Sequence, residues 1–239
     1  MKTSKFFFFA LLLAGVVLTS CTKDETPEPE KPTKTIYLLK NVTTVNAAWG
    51  TFIDKYTYND NMQLLRKISS WGESIDTLDY QYDSKNRVSV IKKNNEDYMS
   101  YEYLDGVILE ETFSYGNYTI QYNLNSAGKV IRSQDISGDT HYTYEWTEGN
   151  NTRKTTFVNN VVTETMIMEY NTTVKDLSYE MYTGTLLPMT STNLISKNTE
   201  GNVTYIKNAG GYPTQAVTPT IFGDFTQTFT YETKVIVVE

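Results

Sequence analysis

A pair of aromatic residues separated by one residue recurs along this chain and constrains its fold more than any other feature. The second position of each unit falls at 58, 82, 103, 122, 144 and 170, at intervals of 24, 21, 19, 22 and 26 residues. Side chains alternate between the two faces of a β-strand, so residues two apart share one face. Recurrence at intervals of this size indicates a repeat architecture.

Each aromatic pair is followed by a short segment rich in Asn, Asp and Gly, residues that tolerate positive φ and turn the chain. A second alternating stretch, such as 88–90, then returns and ends in another polar break. The unit therefore predicts a β-hairpin, and Asn159-Asn160 indicates a further two-residue hairpin loop. We expect an all-β fold in which successive hairpins pair into an antiparallel meander. The 19 tyrosines of the chain favour strands as well.

The N-terminus has the three parts of a secretion signal in their usual order. Two lysines come first, residues 6–18 are an apolar run, and the sequence LTSC follows at 18–21. The apolar run is short for a membrane-spanning helix, which needs about 20 residues. LTSC resembles the bacterial lipobox, whose cysteine carries diacylglycerol, and Cys21 is the only cysteine of the chain. We therefore predict a signal peptide over 1–20 and a lipid anchor at Cys21. The alternative is an ordinary signal peptide with an incidental cysteine.

The segment after the anchor combines three prolines with many charges and lacks aliphatic side chains, so it has too little apolar surface to fold. We predict an extended tether over 21–35 and a single β-repeat domain over 36–239. Lys23, Asp24 and Glu25 are similar to the export signal of Bacteroidetes surface lipoproteins, a lysine followed by two acids. That resemblance implies display on the outer face of the outer membrane.

The hairpin units resemble YD repeats of the RHS type. The segment YDSKNRV at 82–88 is the nearest match, whereas Tyr58 is followed by Asn59 and Tyr103 by Leu104. The whole layout is similar to Bacteroidetes lipoproteins classed as domain of unknown function 4595. Those proteins combine a lipobox, a polar tether, Tyr-x-Tyr hairpins, a short helical or irregular insertion and a terminal Gly-Tyr-Pro hairpin. The resemblance implies a fold, and that family has no established activity.

In this chain the insertion would fall at about residues 177–197, and the terminal hairpin would run from Gly211 to Glu232. The insertion is partly apolar but lacks the alternation of the strands. A meander sheet has a face that needs cover, so we expect this segment to lie over part of that face. It forms either a short helix or a loop with buried leucines.

The formal net charge of the chain is −7 at pH 7. Nucleic acids and anionic lipid surfaces need clustered positive charge, so we do not expect either as the main partner. The expected membrane contact is the lipid on Cys21. A phosphate-binding loop and an EF-hand loop are not found in the sequence, and we expect no cofactor.

Residues suited to catalysis are few. His141 is the single histidine and lies on a predicted strand, where a half-exposed position is a simpler interpretation than a general base or metal ligand. With one histidine and one cysteine, the usual zinc sites are excluded. Glu110-Glu111 and Glu96-Asp97 are adjacent acids, but neighbours in a strand point to opposite faces. We therefore expect a protein that is not an enzyme.

Tryptophan and tyrosine faces stack on sugar rings, so the aromatic content favours a glycan-binding function. Trp49, Trp71 and Trp146 are the candidates, and Trp71 is foremost because residues 69–73 predict a loop. The repeated tyrosines are better explained as a cross-strand ladder that stabilises the sheet.

Three functions from different classes remain open at the level of sequence. The first is a surface-displayed binding module for a glycan or protein ligand. The second is a structural protein of the cell envelope without a small ligand. The third is a glycan hydrolase that uses carboxylates on one face of the sheet.

Replacing Cys21 by serine is expected to release the protein from membranes, because the acyl chains are lost and each buried methylene contributes about 0.8 kcal/mol to anchoring. Membrane fractionation and labelling with radioactive palmitate measure the change. The β domain should stay folded in the released protein, and its unfolding would contradict the division into anchor and domain.

Overall fold

The computed structural model describes residues 31–113, 116–176, 193–198 and 200–238. Within these ranges the chain forms 19 β-strands and no helix, which confirms the predicted all-β class. The strands are β1 (Thr33–Asn46), β2 (Gly50–Tyr58), β3 (Leu64–Trp71), β4 (Ser74–Tyr82), β5 (Val88–Lys93), β6 (Glu96–Leu104), β7 (Val107–Thr112), β8 (Tyr118–Leu124), β9 (Val130–Asp135), β10 (Thr140–Thr147), β11 (Asn150–Val158), β12 (Val161–Ile167), β13 (Tyr170–Lys175), β14 (Asn193–Ile195), β15 (Lys197–Asn198), β16 (Gly201–Asn202), β17 (Thr204–Lys207), β18 (Pro213–Thr218) and β19 (Phe225–Val237).

One antiparallel sheet holds 15 of these strands, in the order β12 through β1 followed by β19, β18 and β17. The predicted meander of hairpins is therefore confirmed. β1 pairs with β19 from Thr33↔Val237 to Val45↔Thr226, so that the first and last long strands lie side by side. Two short ribbons, β13–β14 and β15–β16, complete the described strands.

Several predicted segments fall wholly or partly outside the described residues. These include Cys21, Lys23, Asp24 and Glu25, and also residues 177–192 of the predicted insertion. Residues 193–195 of that insertion form β14, which pairs with β13. β1 begins at Thr33, inside the segment predicted as tether.

The hairpin turns of the large sheet lie alternately at two rims. One rim, the capped rim, carries the turns at residues 59–63, 83–87, 105–106, 125–129, 148–149 and 208–212. The opposite rim, the open rim, carries those at 47–49, 72–73, 94–95, 136–139, 159–160 and 219–224. β1 starts on the side of the capped rim and ends at the open rim.

Four turns of the capped rim share one geometry, which explains the acid or amide that follows the aromatic pair. The first residue of each turn donates its backbone N–H to the carbonyl of the fifth residue at 2.8–2.9 Å. Its side-chain oxygen accepts the N–H of that fifth residue at 2.9–3.1 Å. The fourth residue has φ of 62–85°, a region open to Asn and Gly. The first residues are Asn59, Asp83, Asn125 and Asn208.

Consecutive hairpins separate from each other at the capped rim, and an aromatic side chain bridges the gap. Between β3 and β4 the last paired residues are Arg66 and Asp79. Beyond them the Tyr82 hydroxyl donates to the carbonyl of Leu64 at 2.5 Å. A carbonyl left without a partner in a buried position costs free energy, and the ring supplies its donor. The same bond joins Tyr58 to Leu39, Tyr103 to Val88, Tyr231 to Pro213 and, through the indole N–H, Trp146 to Val130.

These bonds define the phase of the repeat. The repeat positions are 58, 82, 103, 124, 146 and 170, at intervals of 24, 21, 21, 22 and 24 residues, and all except Leu124 carry a bridging ring. The sequence repeat placed the unit at 170 correctly but those at 122 and 144 two residues too early. In the fifth unit the bridging ring is Trp146, two residues after Tyr144. In the fourth unit Leu124 replaces the ring. There β7 and β8 stay paired as far as Val107↔Asn123. The backbone N–H of Leu124 donates to the carbonyl of Gly106 at 2.8 Å.

The core lies on the inner face of the sheet, toward the capped rim. The tyrosines two residues before positions 82, 103, 124 and 146 are 6–9% exposed, and the aliphatic residues that begin β3, β5 and β9 are fully buried. The bridging rings pack against both groups. The repeat tyrosines thus stabilise the sheet, as the sequence predicts. The buried residues are Tyr80, Tyr101, Tyr122, Tyr144, Leu64, Val88 and Val130.

The Asp83 turn is the one of the four whose first residue is charged. The backbone N–H of Arg87, followed by the Arg87 side chain and the N–H of Lys85, lowers the pKa of the Asp83 carboxyl. Arg87 Nη2 lies 2.7 Å from that carboxylate. A group whose pKa is lowered by folding stabilises the fold above its unfolded pKa, and this contribution is lost as the pH falls.

We expect Asp83→Asn to keep the turn and to lose part of its acid sensitivity, since Asn occupies this position in the three other turns. The wild-type contribution should disappear as the pH falls below about 4, the ordinary pKa of aspartate. Urea unfolding midpoints at pH 7 and pH 3 give the measurement. Asn125→Asp is the reciprocal variant and should gain acid sensitivity. Equal acid sensitivity of wild type and Asp83→Asn would refute this account of the turn.

Candidate functional site

Four aromatic side chains gather at the open rim and form what we name the aromatic patch: Trp49, Phe52, Trp71 and Phe222. Trp49 lies in the β1–β2 turn, Phe52 on β2, Trp71 at the end of β3 and Phe222 in the loop before β19. The rings of Phe52 and Trp71 are stacked at a centroid distance of 5.3 Å. The rings of Trp49 and Phe222 meet edge to face at 5.8 Å.

Trp71 joins the two halves of the aromatic patch. Its indole N–H donates to the backbone carbonyl of Trp49 at 2.8 Å. The residue was predicted in a loop, but it is the last residue of β3 and pairs with Ser74. Because stacking and the indole bond both fix the ring, Trp71 is held in place although half of it is exposed. Its N–H is already bonded, so it would contact a ligand through ring carbons.

Asn46 holds the two loops of the aromatic patch together. The residue is 2% exposed. Its amide nitrogen donates to the carbonyls of Gly223 and Asp224 at 3.1 and 3.2 Å. Its amide oxygen accepts the N–H groups of Ala48 and Trp49 at 2.9 and 3.1 Å. One buried side chain thus positions both Trp49 and the loop that carries Phe222.

The aromatic patch is exposed to an unusual degree for such large apolar groups. Trp49 is 45% exposed and Phe222 is 56% exposed, and the neighbouring Ile221 is 78% exposed. Exposed apolar side chains that lie together mark binding surfaces more often than single ones do. Rigid rings of this kind can stack on the apolar face of a sugar or pack against a protein side chain.

The other sequence candidates do not join this cluster. Trp146 is a bridging residue of the capped rim, with Lys129 Nζ 4.7 Å from its ring centroid. His141 lies on β10 and is 8% exposed, so the expectation of a half-exposed position is wrong. Its ring stacks on Phe157 at 4.6 Å. Burial, followed by the charge of Arg132, lowers the pKa of His141.

Glu110 and Glu111 point to opposite faces of the sheet, as the alternation predicts. Glu110 is 6% exposed on the inner face, whereas Glu111 is exposed. The hydroxyls of Tyr101 and Tyr122 donate to the Glu110 carboxyl, and burial raises the pKa of Glu110. The partners of this buried acid are tyrosines, so its surroundings match a structural polar group of the core.

A cleft of about 410 Å³ on the same face is lined by further tyrosines, among them Tyr118, Tyr142 and Tyr144. The hydroxyls of Tyr144 and Ser133 are hydrogen bonded at 2.8 Å. In the part of the chain that the structure describes, there is no group of three His, Cys, Asp or Glu side chains that could hold a metal ion. A search of the same residues finds no helix of the length and apolarity needed to span a membrane.

Comparison with known proteins adds little. No family model and no curated protein matches the chain. Among solved structures, the chain is similar to a porin-like protein from Bacteroides uniformis ATCC 8492, at 16% sequence identity and a TM-score of 0.39. The match covers 84% of this chain and 99% of that chain. A TM-score this low supports no statement about this chain, so the resemblance to domain of unknown function 4595 and to YD repeats stays a prediction.

Sequence reasoning named Trp49 and Trp71 but missed Phe52, Phe222 and Asn46. Phe222 lies far from the others in the chain, and β19 brings its loop beside β1. The sequence does contain a local signal for Asn46, since an Asn at the start of a turn often accepts backbone N–H groups two or three residues further on. Nothing local indicated that the same amide also holds the loop at 220–224.

Replacing Asn46 by alanine is expected to destabilise the protein by about 1–3 kcal/mol, because buried carbonyls and N–H groups lose their partners. The near-ultraviolet circular dichroism of the tryptophans should weaken as the two loops separate. Urea unfolding and this spectrum give the two measurements. Asn41→Ala, at an exposed amide of the same strand, is the matched control and should change neither. An unaltered spectrum in Asn46→Ala would contradict the positioning role.

Proposed function

We propose that this chain is a lipid-anchored outer-membrane protein that faces the cell exterior and binds a glycan through its aromatic patch. The observation that carries the proposal is the pair of fixed, half-exposed indole rings of Trp49 and Trp71 at the open rim. Rings held rigidly before binding lose little conformational freedom when a ligand stacks on them.

The position of the aromatic patch relative to the predicted tether supports this function. β1 has 14 residues and leads from the tether side to the open rim. At about 3.3 Å per residue, a strand of this length spans roughly 45 Å. An anchor at Cys21 would therefore leave the aromatic patch at the end of the domain away from the point of attachment. A surface that binds ligands from outside the cell needs such a position.

Stacking on sugars also fits the chemistry that the patch offers. Sugar rings present C–H groups on one face and hydroxyls at the edge, and aromatic faces bind the C–H side. Ser74 is exposed and pairs with Trp71 across β3 and β4, and the exposed Glu73 precedes it. We expect these two polar side chains to contact sugar hydroxyl groups. A protein ligand is the other class of partner that an exposed aromatic surface can take.

A glycan array screened with the full chain in detergent tests the proposal. We expect selective binding to some glycans, with affinity lowered about tenfold in Trp71→Ala, which corresponds to about 1.4 kcal/mol. Phe113→Ala removes an exposed ring outside the patch and should bind as the wild type does. No binding across the array, or equal binding by Trp71→Ala and wild type, would overturn the sugar ligand.

Protease treatment of intact cells tests the orientation separately. A protein that faces the exterior is cut under conditions that spare periplasmic proteins. Protection of the β domain, while known surface proteins are cut, would show that it faces the periplasm.

A further inference from the structure

A gap opens between β1 and β2 at the capped rim. Pairing of these strands ends at Asn41↔Lys55, although β2 continues to Tyr58. On the other side of β1, the register with β19 shifts between Leu39 and Asn41, so that Lys40 sits in a bulge. Strand separation and bulge together leave a cavity of about 330 Å³.

Three lysines from three strands line this cavity: Lys40 of β1, Lys55 of β2 and Lys234 of β19. The pairing of β1 with β19 fixes where the β19 residues lie around the cavity. Leu38 pairs with Glu232, and Ile36 pairs with Lys234, so Glu232 and Lys234 share one face of β19. Leu38 is 5% exposed and gives the cavity an apolar wall.

The charges of these lysines lack acidic partners among the described residues. Some other strand lysines of the sheet have acidic partners, among them Lys67, 3.1 Å from Asp54, and Lys93, 2.9 Å from Asp76. No acidic oxygen of the described residues lies within ion-pair distance of Lys40, Lys55 or Lys234. The nearby charge is one carboxylate, Glu232, against three ammonium groups.

Such a local excess of positive charge stands out in a chain of net charge −7. Like charges that line one cavity repel each other, and a counter-charge between them relieves that repulsion. An anion in the gap would supply that counter-charge. Lysine is a compact cation with three donors, well suited to phosphate oxygens, and the partly apolar wall reduces screening by water.

We propose that the β1–β2 gap is a binding site for the phosphate group of a small ligand or a lipid headgroup. Lys40, Lys55 and Lys234 neutralise the phosphate, while Asn41 and Thr57 line the same cavity and add polar groups. The site lies at the capped rim, at the opposite end of the strands from the aromatic patch. The phosphate-site proposal can therefore be tested independently of the glycan-site proposal.

Isothermal titration of the full chain with inorganic phosphate at low ionic strength tests this site. We expect saturable one-to-one binding, weakened at least about threefold by Lys40→Gln, Lys55→Gln or Lys234→Gln. Lys85→Gln, which removes the same charge from an exposed turn, is the control and should leave binding unchanged. Glu232→Gln should tighten binding, because it removes the one negative charge that lines the cavity. A misfolded variant cannot produce that gain.

Two competitors separate the sources of the phosphate. Displacement of inorganic phosphate by glucose 1-phosphate supports a soluble ligand, and displacement by vesicles that contain phosphatidic acid supports a headgroup. Absence of saturable phosphate binding overturns the proposal. Equal weakening by Lys85→Gln and the three cavity variants also overturns it, because that result describes general attraction to positive charge.

Discussion

The bond from an aromatic side chain to the carbonyl of the preceding hairpin is the interaction on which this sheet depends. Neighbouring hairpins separate at the capped rim, and each separation would leave a carbonyl without a donor. Tyr82 and Trp146 show that either a hydroxyl or an indole N–H can supply this donor. Burial raises the pKa of the Tyr103 hydroxyl to about 12, so this donor keeps its proton at neutral pH. The ring covers the apolar residue that begins the return strand, so one side chain satisfies the backbone and closes the core.

The all-β fold class could be predicted from the sequence, because both the alternation within strands and the recurrence of turn residues arise from interactions between near neighbours in the chain. Alternation within strands and Asn or Asp in turns depend on a few neighbouring residues, and they predicted the hairpins and the Asn159-Asn160 loop, where φ is 50° and 61°. The phase of the repeat was harder, since Leu124 breaks the aromatic pattern and a backbone bond takes its place. Pairing of β1 with β19 joins residues nearly 200 positions apart, and no local pattern contains it.

The two rims of the sheet differ in what constrains their residues. Four turns of the capped rim are closed by side-chain oxygens and lie next to the buried core, so their sequence is constrained by stability. At the open rim, large apolar residues remain exposed, including Trp71 and Ile136. The candidate glycan site was only partly predictable for this reason. The sequence identified Trp49 and Trp71 individually. It did not show that they form one patch, because the patch depends on Asn46 and on a loop near the other end of the chain.

The start of β1, where the predicted tether would join, and the aromatic patch lie at opposite rims, and this arrangement has a mechanical consequence. A ligand that pulls on the open rim while the anchor holds the N-terminus would apply force along the strand axes. The ladder between β1 and β19 runs from Thr33↔Val237 to Val45↔Thr226, so its hydrogen bonds would be loaded together in shear. Shear must break many bonds at once, whereas a force across the strands would open them one by one. The pairing of β1 with β19 would therefore resist such a force strongly.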